Sequence, residues 1–254
     1  MRAFTLVFNA FFNSFKIIRR AKLKKFYFVP GFISIGLFLI FIWLSNLLLL
    51  NISTSLENMF KLQHYHSFIF VFIRILIWVC SVFLYYLVYK SILIIVLSPI
   101  LSYMSEKVES YLTDVTFNFT MRDNFNFILR GINIGIKSFF KQILGTILIL
   151  LLSFIFPINL IIPILIFLIQ SYFTGFSFMD YTLERHNLTP EESLNFLKKY
   201  RVEATLCGGI FTLLFFIPLL GIFLAPITTC IATTSITLEL LKKEGIKISK
   251  LEMK

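Results

Sequence analysis

Charged residues, and acidic residues above all, are scarce in this 254-residue chain. Only 15% of the residues are charged and only 13 are Asp or Glu, whereas 58% are hydrophobic. The mean hydropathy is +0.87. An average soluble domain has about 25% charged residues and a smaller apolar fraction. The composition therefore excludes an ordinary soluble domain and predicts an integral membrane protein, of a length that suits one compact unit.

Residues that hold metals or perform covalent catalysis are also few. Cys80, Cys207 and Cys230 all lie inside apolar stretches, and none belongs to a Cys-x-x-Cys pair, so we interpret them as small buried side chains. The three histidines have no metal-ligand spacing. The sequence offers no nucleophile–base set and no phosphate-binding loop. We therefore expect a protein that is not an enzyme and that uses no metal or other cofactor.

Basic residues are plentiful and gather at both ends of the chain. The net charge is +11, and residues 1–25 carry seven basic side chains with no acidic one. Five further lysines lie in the tail, residues 239–254. Because positive charge favours the cytoplasmic side, we expect both termini of a multi-pass membrane protein to lie in the cytoplasm. The expected partner of these charges is anionic membrane lipid rather than nucleic acid.

The first half of the chain alternates between amphipathic and membrane-spanning patterns. Residues 1–20 place phenylalanines at helical spacing, which is typical of a helix lying in the cytoplasmic interface. Residues 30–50 and 67–98 are long and apolar enough for two transmembrane helices. Residues 100–142, which follow Pro99, predict short amphipathic helices packed on the cytoplasmic side.

The second half contains two apolar blocks, residues 143–170 and 204–238, which flank a polar cytoplasmic helix at 180–203. Each block is interrupted by two prolines. Two full crossings need about 40 apolar residues, which neither block has. A single crossing by the first block would leave the basic residues of 180–203 outside. We therefore predict two re-entrant, hemi-penetrating helical hairpins, whose turns and polar path involve Pro157, Asn159, Pro163, Pro218 and Pro226.

Broken apolar segments permit two interpretations. Irregular backbone within a membrane is tolerated where it lines a wet cavity, which points to transport, or where it is buried in protein, which suits a scaffold. The hydroxyls between Thr228 and Thr234 could likewise line a path or bond to their own helix backbone. The proline pattern alone does not separate these alternatives.

Four stretches, in order along the chain, resemble the CysZ-type sulfate permease family, which is related to the eukaryotic etoposide-induced protein. "KLKKFYFVP" (22–30) is similar to the basic stretch that ends in proline before the family's first long helix. "LSPILSYMSEKVESYL" (97–112) resembles its proline and acidic helix, and "FSFMDYTLERHNLTPEESLNFLKKYR" (176–201) its Asp-Tyr linker. "GGIFTLLFFIPLLGIFLAPITTCIATT" (208–234) resembles its closing hairpin.

The resemblance implies an all-α integral membrane protein with two long transmembrane helices and two hemi-penetrating hairpins. It also implies a homo-oligomer, at least a dimer, that takes up sulfate. The sulfate-binding stretch of the family corresponds to Leu23, Lys24 and Lys25. In this sequence Lys22 stands where the family has glycine, and the two lysines stand where it has arginines.

Two functions follow as hypotheses. The first is an inner-membrane permease or channel for sulfate or a related small oxyanion, in which Lys24 and Lys25 capture the anion and the hairpins line the path. The second is a non-transporting protein that shapes or scaffolds the bilayer, in which the same lysines hold anionic headgroups.

Overall fold

The computed structural model describes residues 2–60, 66–115, 121–152, 160–217 and 220–246, and in these ranges the chain is helical with no strand. The helical content follows from the sequence, because apolar residues recur at helical spacing over long stretches that contain few helix-breaking residues. The elements are α1 (Arg2–Arg20), a 3-10 turn (Leu23–Tyr27), α2 (Phe28–Phe60), α3 (His66–Thr113), α4 (Met121–Leu152), α5 (Ile162–Arg185), α6 (Pro190–Lys199), α7 (Arg201–Phe215) and α8 (Leu220–Lys243).

The chain divides into two compact units. One comprises Met1–Gly31 together with Ile94–Lys254, and the other comprises Phe32–Leu93. The smaller unit contains most of α2 and the first half of α3, and many of its described large apolar side chains, including Phe32 and Trp43, are exposed. An exposed apolar surface of this extent suits contact with lipid rather than water. The larger unit contains every site discussed below.

Five stretches among the described residues are long and apolar enough to cross a membrane. They are Leu23–Leu47, Tyr89–Thr113, Phe125–Leu152, Ile162–Arg185 and Gly221–Lys243. The chain is thus an all-helical protein of the multi-pass membrane type. Length and composition do not distinguish a helix that crosses from one that enters and returns.

Three predictions of helix bounds are wrong. Residues 180–203, predicted as one helix, contain the end of α5, all of α6 and the start of α7. We expected a new helix after Pro99, but α3 passes through this proline without a break. A proline inside a helix removes one hydrogen bond and crowds the preceding turn, and here burial of Leu97 and Leu101 on either side holds the helix together. We also expected a boundary near residue 143, whereas α4 joins the amphipathic segment and the following apolar arm in one helix.

The core of the larger unit lies where α5 packs on α7 and α8. Gly175 of α5 and Gly208 of α7 let the two backbones touch. A Cβ on Gly175 would lie 1.8 Å from the Ala204 carbonyl oxygen, and one on Gly208 would lie 1.9 Å from that of Ser171. Small residues four apart on both helices produce this close packing, which is a common solution in membranes.

α1 packs on α7 and α8 with one of its two apolar stripes. Val7, Phe11 and Ile18 are buried against the rest of the unit. A second stripe remains exposed and consists of Phe4, Phe8, Phe12 and Phe15. The helix predicted for residues 1–20 is therefore present, and its outer face has the composition expected of a helix that contacts lipid.

Candidate functional site

The predicted anion-binding stretch forms a compact basic turn, residues 22–25, between α1 and α2. Lys22 has a left-handed backbone conformation with φ of 56° and lies between α1 and the 3-10 turn. Leu23 is buried with 4% exposure and anchors the turn, whereas Lys24 and Lys25 are exposed. The sequence resemblance implied that these three residues act together, and the structure places one as an anchor and two as accessible cations.

The prolines predicted to shape the hairpins fall in different surroundings. Pro163 lies in the first turn of α5, where a missing amide costs little. Pro226 is buried inside α8. Pro157, Asn159 and Pro218 lie outside the described residues. α4 packs against α5 and α7 packs against α8, so the described helices of each block are paired with one another.

The threonines of α8 mostly bond to their own helix. The hydroxyl of Thr228 donates to the Leu224 carbonyl at 2.6 Å, and that of Thr233 donates to the Thr229 carbonyl at 2.7 Å. Thr234 makes the same type of bond to Cys230, at 2.8 Å. Of the two interpretations of these hydroxyls, own-backbone bonding is therefore the one observed for these three.

A buried polar cluster that the sequence did not reveal joins α3, α5 and α8. We call it the Glu109 cluster, and it consists of Glu109, Arg185, His186, Ser105, Thr182 and Thr234. Arg185 donates from Nε to Glu109 Oε2 at 3.0 Å and from Nη2 to Ser105 Oγ at 2.6 Å. His186 Nε2 lies 2.7 Å from the other carboxylate oxygen, Oε1.

Hydroxyl groups complete this cluster. Ser105 Oγ lies 3.1 Å from Thr182 Oγ1 and 2.8 Å from Thr234 Oγ1, so one serine contacts both α5 and α8. The side chains of Glu109 and Arg185 are 0% and 2% exposed. Buried charges are retained only when they are paired and hydrogen-bonded. In this cluster both Glu109 and Arg185 have charged and hydrogen-bonding partners. The Arg185 guanidinium is therefore bound to protein groups and is not available to bind an anion.

A second cluster joins α4, α5 and α6 around Arg130. Nη2 of Arg130 lies 3.2 Å from Asp180 Oδ1 and 2.9 Å from Ser193 Oγ, and Nε lies 3.7 Å from Glu184 Oε1. One arginine thus faces two buried carboxylates. The outer oxygens, Asp180 Oδ2 and Glu184 Oε2, have no hydrogen-bond partner among the described residues. Their positions, four apart on α5, put both acids on one helix face.

α6 begins with a capping box and ends against the tail of α8. Thr189 Oγ1 accepts from the Glu192 amide at 3.3 Å, and Glu192 accepts from the Thr189 amide at 2.7 Å. These bonds lower the pKa of the Glu192 carboxyl. At the other end Lys199 Nζ lies 2.7 Å from the Glu244 carboxylate, to which the Tyr200 hydroxyl also donates.

The Tyr200–Glu244 contact affects both groups. Burial first, and then the adjacent Glu244 carboxylate, raises the pKa of Tyr200 to about 12. Hydrogen bonds from Lys199 and Tyr200 lower the pKa of Glu244. The carboxylate is therefore ionised and the phenol protonated across the physiological range, which keeps α6 attached to the end of α8.

The comparison with known families agrees with this architecture. The family model described as "Sulfate transporter CysZ/Etoposide-induced protein 2.4" matches residues 10–226. The match covers most of the chain and includes the basic turn, Glu109, Arg130 and the α5–α6 segment. It therefore shows that the chain belongs to the Sulfate transporter CysZ/Etoposide-induced protein 2.4 family.

Proposed function

We propose that the protein is a permease or channel for sulfate or a related small oxyanion in the bacterial inner membrane, with both termini cytoplasmic. The basic turn is the observation that carries this proposal. Buried Leu23 holds Lys24 and Lys25 in an accessible position at the start of a long apolar helix. Two ammonium groups attract a dianion. Because the description of the family names a sulfate transporter, sulfate is the first substrate to test.

Two re-entrant hairpins, α4–α5 and α7–α8, form the path in this proposal. α7 has 15 residues, which correspond to about 22 Å of helix, whereas the hydrocarbon core is about 30 Å thick. This arm is short for a crossing, which supports a hairpin that enters from the cytoplasm and turns within the membrane.

Energy coupling follows from the chemistry that the sequence offers. The chain has no nucleotide-binding motif, so we propose passive or proton-coupled movement of the anion. The family resemblance supports a homo-oligomer, at least a dimer. Irregular backbone at the hairpin turns is compatible with the membrane only where protein or water surrounds it, and an oligomer supplies such surroundings.

Uptake of labelled sulfate into proteoliposomes tests the proposal. We expect uptake above that of protein-free vesicles, and we expect competition by selenate or sulfite, which share the oxyanion chemistry of sulfate. Uptake equal to that of empty vesicles would contradict sulfate transport.

The second candidate is a membrane-shaping or scaffold function, and the exposed phenylalanine stripe of α1 favours it. Phe4, Phe8, Phe12 and Phe15 are each about half exposed or more, and their insertion would expand the cytoplasmic leaflet. A protein that deforms vesicles at low protein-to-lipid ratio, but passes no oxyanion, would fit this function instead.

A further inference from the structure

A large cavity lies between α4, α5 and α6, apart from the basic turn. Its volume is about 880 Å³. Four cationic side chains line it: Arg130, Lys137 and Lys141 from α4, and Lys198 from α6. Lys137 and Lys141 follow Arg130 by 7 and 11 residues, so the three cations share one face of α4. Glu191 is the single acidic residue among the described residues that line the cavity.

The lysines of this cavity are available to a ligand. Lys137, Lys141 and Lys198 are exposed, and none takes part in the ion pairs found among the described residues. Arg130 differs, because Asp180 and Glu184 already compensate its charge. The cavity therefore presents three uncompensated ammonium groups against one carboxylate, and this balance is complementary to an anion.

The cavity also has an apolar and aromatic wall. Tyr172, Phe173 and Phe176 of α5 and Leu194 of α6 line it. A free oxyanion has five heavy atoms, whereas the cavity has about thirty times the liquid volume of one water molecule. A small hydrated anion would leave this wall without a partner, so cavity size and lining fit a ligand with both an anionic group and an apolar part.

The cations also lie beside an exposed apolar surface. Directly after Lys141, α4 exposes Leu144, Ile147, Leu148 and Leu151. On the adjacent helix α5, exposed Leu168 precedes Tyr172, a residue type typical of the membrane interface. The cavity therefore opens at the boundary between the apolar belt and the polar end of the helices.

A neighbouring cavity of about 740 Å³ extends the same surface. It shares Tyr172 and Lys198 with the first cavity, adds Arg201, and is otherwise lined mainly by apolar residues such as Leu168 and Leu206. We propose that these two cavities bind an anionic phospholipid, whose phosphate lies among Lys137, Lys141 and Lys198 and whose acyl chains lie along Leu168 and Leu206. The oxyanion route does not use this site.

Short-chain lipids test the proposal with the full-length protein in a nonionic detergent. The probes are dioctanoyl phosphatidylglycerol, dioctanoyl phosphatidylcholine and inorganic phosphate, and the measurement is the apparent Kd of each. We expect phosphatidylglycerol to bind, phosphatidylcholine to bind at least about tenfold more weakly, and phosphate not to compete at matched concentration. The lysines contribute the charge attraction, so the Lys137→Gln/Lys141→Gln variant should lose about tenfold or more in phosphatidylglycerol affinity.

Matched controls separate this site from general positive charge. The Lys242→Gln/Lys243→Gln variant removes two exposed lysines from the end of α8 and should bind phosphatidylglycerol like the wild type. Lys198→Gln, on a different helix, should weaken binding in the same direction as the α4 pair and guards against a folding defect in α4. Equal loss in the α8 variant, or unchanged affinity in both cavity variants, would overturn the site. Displacement by phosphate alone would assign the cavity to a free oxyanion instead of a lipid.

Discussion

Arg185 Nη2 lies 2.9 Å from Glu109 Oε2, and both side chains are almost completely buried. The pair links the last residue of α5 to the final turns of α3. His186 occupies the other oxygen of the same carboxylate, so one acid on α3 holds two consecutive residues at the end of α5. Glu109 is therefore the charged link between α3 and the end of α5, beside the hydroxyl contacts of Ser105.

Glu109→Gln should destabilise the protein strongly. The change keeps the side-chain volume but leaves Arg185 as an uncompensated buried charge, which costs about 3–5 kcal/mol in comparable pairs. Thermal unfolding in detergent, followed by loss of the monodisperse peak in size-exclusion chromatography, measures this effect. Glu239→Gln removes an exposed carboxylate from α8 and should leave the unfolding temperature nearly unchanged. Equal unfolding temperatures for the two variants would show that the Glu109 cluster does not hold the helices together.

Gly208→Ala should disrupt the packing of α5 on α7. The added Cβ would lie 1.9 Å from the Ser171 carbonyl oxygen, and backbone cannot move aside as a flexible side chain can. Overpacking typically costs about 1–3 kcal/mol. Gly36→Ala is the matched control, because a Cβ there meets nothing within 4 Å. A lower unfolding temperature is expected for the first variant alone, and a wild-type value for Gly208→Ala would contradict the close backbone contact.

The capping box of α6 predicts a pH-dependent helix start. The pKa of Glu192 is lowered by its bonds to Thr189, so the ionised carboxylate stabilises the folded state. This stabilisation is fully present above the ordinary Glu pKa of about 4.3 and is lost as pH falls through the lowered value. Hydrogen exchange of the α6 amides, corrected for intrinsic rates, should show protection that decreases at acidic pH. In Glu192→Gln this acid-dependent loss should disappear, and an unchanged profile would assign the pH effect to another group.

Thr189→Ala tests the same box at its other half. Loss of the N-cap hydroxyl removes the bond to the Glu192 amide and should destabilise α6 by about 1 kcal/mol. The same exchange measurement at neutral pH should report faster opening of α6. Thr189→Ser retains a capping hydroxyl and should restore protection, whereas equal exchange in both variants would contradict the capping role.

The re-entrant hairpin predicts that its turn is not accessible from outside the cell. Ile217 follows the end of α7 and is exposed. In a background without native cysteines, Ile217→Cys should not react with an impermeant thiol reagent added outside. Lys242→Cys, in the last turn of α8, should react only when the cytoplasmic side is opened. Labelling of the Ile217→Cys variant exclusively from outside would show that α7 and α8 cross the membrane.

The helical class and the family were predictable because both depend on long-range patterns of apolar residues and on motif order. The bounds of individual helices were less predictable. Pro99 was predicted to begin a new helix, and burial on both sides of it overrides the local cost of proline. The backbone bonds of Thr228, Thr233 and Thr234 follow a general rule of helix-internal hydroxyls, one of the two alternatives that the sequence left open. The contact of Thr234 with Ser105 could not be predicted in this way.

The buried clusters could not be predicted, because each depends on residues far apart in sequence. Glu109 and Arg185 are 76 positions apart, and Arg130 and Asp180 are 50 apart. Residues 180–203 were interpreted as one polar cytoplasmic helix, so the burial of Asp180, Glu184 and Arg185 was missed. The sequence did contain one indication of this burial: the three charged residues directly follow an apolar stretch. Charges in such a position are seldom left unpaired.

The central claim is that the basic turn captures the transported oxyanion, and sulfate uptake by Lys24→Ala/Lys25→Ala in proteoliposomes tests it most directly. Lys242→Ala/Lys243→Ala removes the same charge from another exposed site, the end of α8, and serves as the control. We expect wild type and control to take up labelled sulfate, and the turn variant to lose uptake while eluting as a folded protein of unchanged size. Uptake by the turn variant at the wild-type rate would contradict the claim and place the anion site elsewhere in the molecule.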